Sequence, residues 1–120
     1  MIVGIGYDLC SVNRFADKNE CRRFAARWFS LSEREYLAER SYAAQTAAGI
    51  FAAKEACLKV FGLPLFGVPM QDISIEHDSA GKPYLRCPAL VGGNTVHISI
   101  THEGDVAGAM CVAEGTRYQV

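Results

Sequence analysis

The chain has 120 residues, about half of them hydrophobic, and a formal net charge of −1. That supports one hydrophobic core, so residues 1–120 read as a single domain. The charge balance excludes a basic nucleic-acid binder, and no apolar run approaches the roughly 20 residues of a membrane span, so a soluble chain without a membrane partner is expected.

The opening MIVGIGYDLC alternates as a strand over residues 2–10. Val3, Ile5, Tyr7 and Leu9 share one face, and Gly4, Gly6 and Asp8 share the other. Two glycines on one face let another backbone or a ligand come close, with Asp8 pointing to the same side. GIGYDL is not a dinucleotide fingerprint, because Leu9 stands where the third glycine belongs. The segment also lacks the basic start and long apolar stretch of a signal peptide. From Ser11 to about Trp28 the pattern turns helical and basic, with Arg23 and Arg27 four apart on one side and Arg14 a few turns earlier. In FSLSEREY, Ser30 or Ser32 caps a second helix, with Glu33 or Glu35 completing a capping box. Residues 43–61 read as a long helix that Gly62 and Pro64 terminate.

The second half reads as strands. DISIEHD alternates, SAGKPY is a turn, YLRC is a short strand, GGNTVHISITH alternates with Val96, Ile98 and Ile100 on one face, and VAGAMCVAE closes as a strand of small residues. One strand, then helices, then strands with short links predicts an α+β fold with a largely antiparallel sheet packed against a long helix. Five cysteines (Cys10, Cys21, Cys57, Cys87 and Cys111) form no CxxC pair. Their odd number and apolar settings predict buried free thiols in a reducing, cytoplasmic compartment, and their spacing argues against zinc.

Glu55 is the residue out of place. It borders the apolar stripe of the long helix (Phe51, Leu58 and Phe61), and on spacing alone it reads first as an i, i+4 partner of Lys59. Asp8 is the acid that can meet it from the strand. Two carboxylates facing each other are costly unless a cation lies between them. Magnesium suits such a pair, because it takes one or two carboxylates and leaves its other positions to water and phosphate. Lys54 and Lys59 are on the right helix to hold phosphate oxygens, which points to phosphoryl-type transfer. His97 and His102 fall on opposite strand faces and do not share a metal; His102, at the strand's end, can reach a site.

Four blocks resemble the holo-[acyl-carrier-protein] synthase family: GIGYDL its opening strand, FSLSEREY its F-[ST]-x-x-E helix start, FAAKEACLK its FAAKEAxxK helix, and GKPY with HISITH its GKP turn and final H-x-S-I-[ST]-H strand. The match runs over residues 2–113. The resemblance implies a 4'-phosphopantetheinyl transferase fold, trimeric, with each site at a subunit interface. It implies an enzyme that moves 4'-phosphopantetheine from coenzyme A to a serine of apo acyl carrier protein, with magnesium, releasing 3',5'-ADP. Asp8 and Glu55 match the metal ligands and, with Lys59, the catalytic group. The serine's proton goes to Glu55 or to a metal-bound water, a choice the resemblance leaves open. Lys59 and His102 match positions that contact coenzyme A phosphates, with Lys54 and Ser99 beside them, and Lys82 matches a turn at the nucleotide end. Arg14 matches a position that docks the acidic carrier, and Arg23 and Arg27 continue that basic segment.

Two departures stand out. Ile50 occupies the place of an arginine expected near the cofactor's phosphates, a charge-assisted hydrogen bond worth about 1.5–3 kcal/mol. FGLPLFG replaces a glycine-rich segment after the helix, which alters the path expected for the pantetheine arm. These departures keep two alternatives in view: a transferase serving a specialised carrier, and a non-catalytic trimeric protein that binds coenzyme A or the carrier.

Overall fold

The segment AQTAAGIFAAKEACLKV is too apolar on every side to lie on a surface. In the computed structural model, which describes residues 1–115, it forms the central helix. The elements run β1 (Ile2–Ser11), a 3-10 turn (Val12–Phe15), α1 (Lys18–Trp28), α2 (Leu31–Glu39), α3 (Ala44–Val60), a second 3-10 turn (Met70–Asp72), β2 (Ser74–His77), β3 (Pro83–Arg86), the one-turn helix α4 (Pro88–Val91), β4 (Thr95–Glu103) and β5 (Val106–Glu114). The expected α+β class, with antiparallel strands, is what the chain adopts. The strands form two sheets, a three-stranded one in the order β1-β5-β4 and a β2-β3 hairpin. Residues 116–120 of the single domain expected over 1–120 lie outside the described residues.

The glycine-bared face of β1 receives α3 and not a ligand. A Cβ at Gly6 would lie 1.9 Å from the Ala56 carbonyl oxygen, and one at Gly4 would lie 2.4 Å from that of Val60. The small inward residues of β5 (Ala107, Ala109, Cys111 and Ala113) are buried beneath the same helix. This close approach sets the position of every α3 side chain relative to the sheet.

The basic stretch from Ser11 to Trp28 is not one helix: Ala16 separates the turn from α1, and the Asp17 side chain caps α1 by accepting from the Glu20 N–H. Of the two possible caps for α2, Ser30 is used, in a full capping box with Glu33. Gly62 leaves α3 at φ +69°, the left-handed turn expected there. All five cysteines are free and buried, as expected from their odd number and apolar settings.

Candidate active site

Lys54 and Glu55, adjacent in sequence, go to different places. Lys54 is fully buried and donates to Glu33 Oε1 and to the Ile73 carbonyl, each at 2.6 Å. Glu33 also accepts from the Ser30 and Ile75 N–H groups. Burial pushes the Glu33 carboxyl up and the Lys54 ammonium down, each opposed by the other's charge. The expectation that Lys54 holds a cofactor phosphate is therefore corrected: its side chain is fully buried and its ammonium is engaged by Glu33 of α2 and by the Ile73 carbonyl just before β2. Glu33, read from sequence only as a cap, is the other half of this internal pair.

Glu55 faces β1. Its pKa is pushed up to about 7, first by burial and then by the neighbouring Asp8 carboxyl, against Arg14 and Lys59. The i, i+4 ion pair does not form. Lys59 instead crosses to β1, donating to Asp8 Oδ1 at 2.9 Å and to the Tyr7 carbonyl at 3.0 Å. The Asp8 bond holds the Lys59 ammonium above its ordinary pKa. Asp8 Oδ2 is buried with no hydrogen-bond partner. An orphaned carboxylate oxygen beside a second carboxyl is a donor set for a hard cation, and it fits the one or two carboxylates that magnesium takes. No group of three or more His, Cys, Asp and Glu forms a fuller cage among the described residues.

Arg14 lies on this flank as well. Its guanidinium stands 4.9 Å from the Phe51 ring centroid and 5.7 Å from that of Phe24, at the junction of the carboxylates and α1. Arg23 and Arg27 are exposed on α1, and Arg27 stacks over Trp28 at 4.9 Å. A cavity of about 310 Å3 opens beside the acids, lined by Glu55, Leu58, Lys59, Leu63, Pro64 and Leu65.

The remaining predicted residues lie elsewhere. Asp8 and Ile100 flank Ala109 in one row of the sheet, and Cys10 and His102 flank Ala107 in the next. β1 and β4 are thus two strand spacings apart, about 10 Å, with α3 between them on that face. Ile50 precedes Glu55 by five residues, a rotation of about 140° around the helix, and looks toward β4. There a second cavity, of about 260 Å3, is lined by Ile50, Gly49, His77, Gly81, Ile100 and His102 among others. Lys82 is exposed in the adjoining turn. Ser99 is on the opposite sheet face from His102, beside Tyr7 and Met110.

In one chain, therefore, Asp8, Glu55, Lys59 and Arg14 come together, while His102 and Lys82 stand on the other flank of α3. Tyr36 and His77 also line the second cavity, stacked at 3.8 Å. No spacing signal announced them, because α2 and β2 meet only in the fold.

Residues 4–111 match the sequence profile described as the 4'-phosphopantetheinyl transferase superfamily. The chain belongs to this superfamily. Among the superfamily proteins it resembles, a holo-[acyl-carrier-protein] synthase of Bacillus subtilis is 41% identical over 118 residues, covering 95% of this chain and 97% of that protein. The synthase of Treponema denticola is 36% identical over 123 residues, covering 96% and 100%. A solved superfamily structure, the Bacillus anthracis synthase in complex with CoA (3',5'-ADP), superposes with a TM-score of 0.80 at 34% identity, covering 97% of this chain and 99% of that one.

Proposed function

We propose that this chain is a holo-[acyl-carrier-protein] synthase, an enzyme that transfers 4'-phosphopantetheine from coenzyme A to a serine of apo acyl carrier protein. The observation that carries the mechanism is the Asp8–Glu55 pair, with its orphaned oxygen and the Lys59 ammonium at its edge. The serine hydroxyl gives its proton to Glu55 or to a water as its oxygen forms a bond to the phosphorus that bears the pantetheine. The bond from that phosphorus to the oxygen bridging to the other phosphate breaks, and 3',5'-ADP leaves with that oxygen. Asp8 and Glu55 would hold magnesium, which when bound neutralises charge on the diphosphate. Lys59 is more than half exposed and places a positive charge where diphosphate oxygens come to rest. α3 fixes these groups rigidly, so little reorganisation accompanies transfer. Arg14, Arg23 and Arg27 supply the positive face for an acidic carrier.

The site is completed by a second copy. His102, Lys82 and Ser99 would contact coenzyme A from the neighbouring subunit of a homotrimer. Two observations support this. His102 and Lys82 lie on the opposite flank of α3 from Asp8 and Glu55, and Ser99 is on the outer sheet face. In addition, the outer face of the three-stranded sheet exposes Ile5, Tyr7, Leu9, Val106 and Met110, each at least 44% accessible, an apolar surface of the kind that marks an interface. Among the described residues no helix is long and apolar enough to cross a membrane, and a cytoplasmic single-domain enzyme is the reading we adopt.

The test is direct. The protein is incubated with magnesium, coenzyme A and an apo acyl carrier protein, and the carrier is weighed by mass spectrometry. The expected result is a gain of one phosphopantetheine that chelation of the metal prevents. No gain across several carriers would overturn the proposal.

A further inference from the structure

The segment from Gly62 to Gln71 joins the site flank to the docking helix, and it is built with an unusual residue at its centre. Phe66 sits at φ +61°. A bulky aromatic residue in the left-handed region is a true outlier, held only where surrounding contacts over-determine it. The residue is also half exposed, at 47%, so burial alone does not explain it. What it touches is Trp28, at the end of α1, with ring centroids 4.5 Å apart.

The two ends of the segment are also tied down. Leu63 N–H donates to the Leu58 carbonyl at 2.9 Å, fastening the start to α3, and Gly67 N–H donates to the Pro64 carbonyl at 2.8 Å, closing a turn. At the far end Gln71 Nε2 donates to the Ala26 and Arg27 carbonyls at the close of α1. Between these ties, Leu63, Pro64 and Leu65 wall the cavity beside Glu55 and Lys59. Trp28 is in turn covered by the Arg27 guanidinium. The basic helix and the wall of the carboxylate cavity thus meet through one aromatic contact.

We propose that Phe66 is a positioning residue: by clasping Trp28 it holds Leu63–Leu65 in place against Glu55 and Lys59 and couples carrier docking on α1 to the geometry of transfer. This rests on the transferase reading above. The wall and α1 lie on one flank, and the wall also borders Glu55 and Lys59, so the clasp bears on the place where carrier and coenzyme A meet.

Trp28 is the chain's single tryptophan, so its fluorescence reports the clasp directly. Phe66→Ala should shift the Trp28 emission and lower kcat/KM for the carrier protein about tenfold. Phe66→Tyr, which keeps the ring, should restore both emission and transfer. Phe66→Gly removes the ring and relieves the backbone cost together, so it separates loss of the clasp from strain, and it should behave as Phe66→Ala does. Wild-type kcat/KM in both ring-less variants despite a shifted emission would overturn the proposal, as would an unshifted emission. A wild-type protein that transfers nothing to any carrier would instead overturn the transferase reading, and this inference with it.

Discussion

Lys54 and Glu55 are neighbours on α3, yet one belongs to a closed polar network and the other to an open one. The Lys54–Glu33 pair is fully buried, and both Glu33 oxygens accept hydrogen bonds. The Asp8–Glu55–Lys59 group is only partly buried, sets two carboxyls against each other, and leaves Asp8 Oδ2 with nothing. Satisfaction, and not burial or charge alone, separates structural ions from reactive ones. A buried pair with its partners in place holds two layers in register. A pair with a missing partner is waiting for one.

That contrast can be broken by exchanging the outcomes. Glu55→Gln should lower transfer by about a thousandfold or more, because in the proposed function it removes one of the two carboxylates that would hold magnesium. It should leave thermal stability at or slightly above wild type, since a repulsive carboxyl is gone. Lys54→Met should do the reverse, destabilising the fold by about 3–5 kcal/mol through an uncompensated Glu33, as read by urea denaturation, while the remaining folded protein still transfers. A stable Lys54→Met or an unstable Glu55→Gln would dissolve the distinction.

A pH series sharpens it. The Glu55 pKa is raised to about 7, so at pH 6 the group is mostly protonated in the metal-free protein. Magnesium must displace that proton, so its affinity should rise up to about tenfold per pH unit below 7 and level off above it. Without metal the native state binds more protons than the unfolded one between the ordinary carboxylate pKa and 7. Its stability therefore falls as pH rises through that window, and magnesium should restore it. Calorimetric titration at pH 6 and pH 8 checks the first trend, and thermal unfolding with and without magnesium checks the second. The smallest effect expected is on the other flank. Ile50→Arg would put a cation into a cavity whose described lining carries no Lys or Arg, and should tighten coenzyme A binding about tenfold. Unchanged affinity would place Ile50 away from the phosphates.

Much of this was legible in the chain. Strand alternation put Asp8 on the glycine face, and helical spacing put Glu55 at the border of the apolar stripe. The Ser30 capping box and the Gly62 stop were local signals, and local signals survive folding. Lys54 was misread because spacing counts neighbours on its own helix, whereas its partners arrive from α2 and β2. The same reason hid Tyr36, His77 and the Phe66–Trp28 contact, which join elements far apart in sequence. The resemblance implied a site at a subunit interface, but no spacing put Asp8 and His102 on opposite flanks of α3: that follows from strand order β1-β5-β4, which no single segment encodes.

That split is the centre of the account, and one measurement addresses it. Glu55→Gln and His102→Ala proteins are each prepared, unfolded and refolded together in equal amounts, and transfer to an acyl carrier protein is followed by mass spectrometry. If each site takes Glu55 from one subunit and His102 from the next, random mixing restores intact sites in about a quarter of cases, and transfer should return to about that fraction of wild type. Mixed assemblies that form yet transfer no faster than either parent would contradict a site shared between copies of this chain.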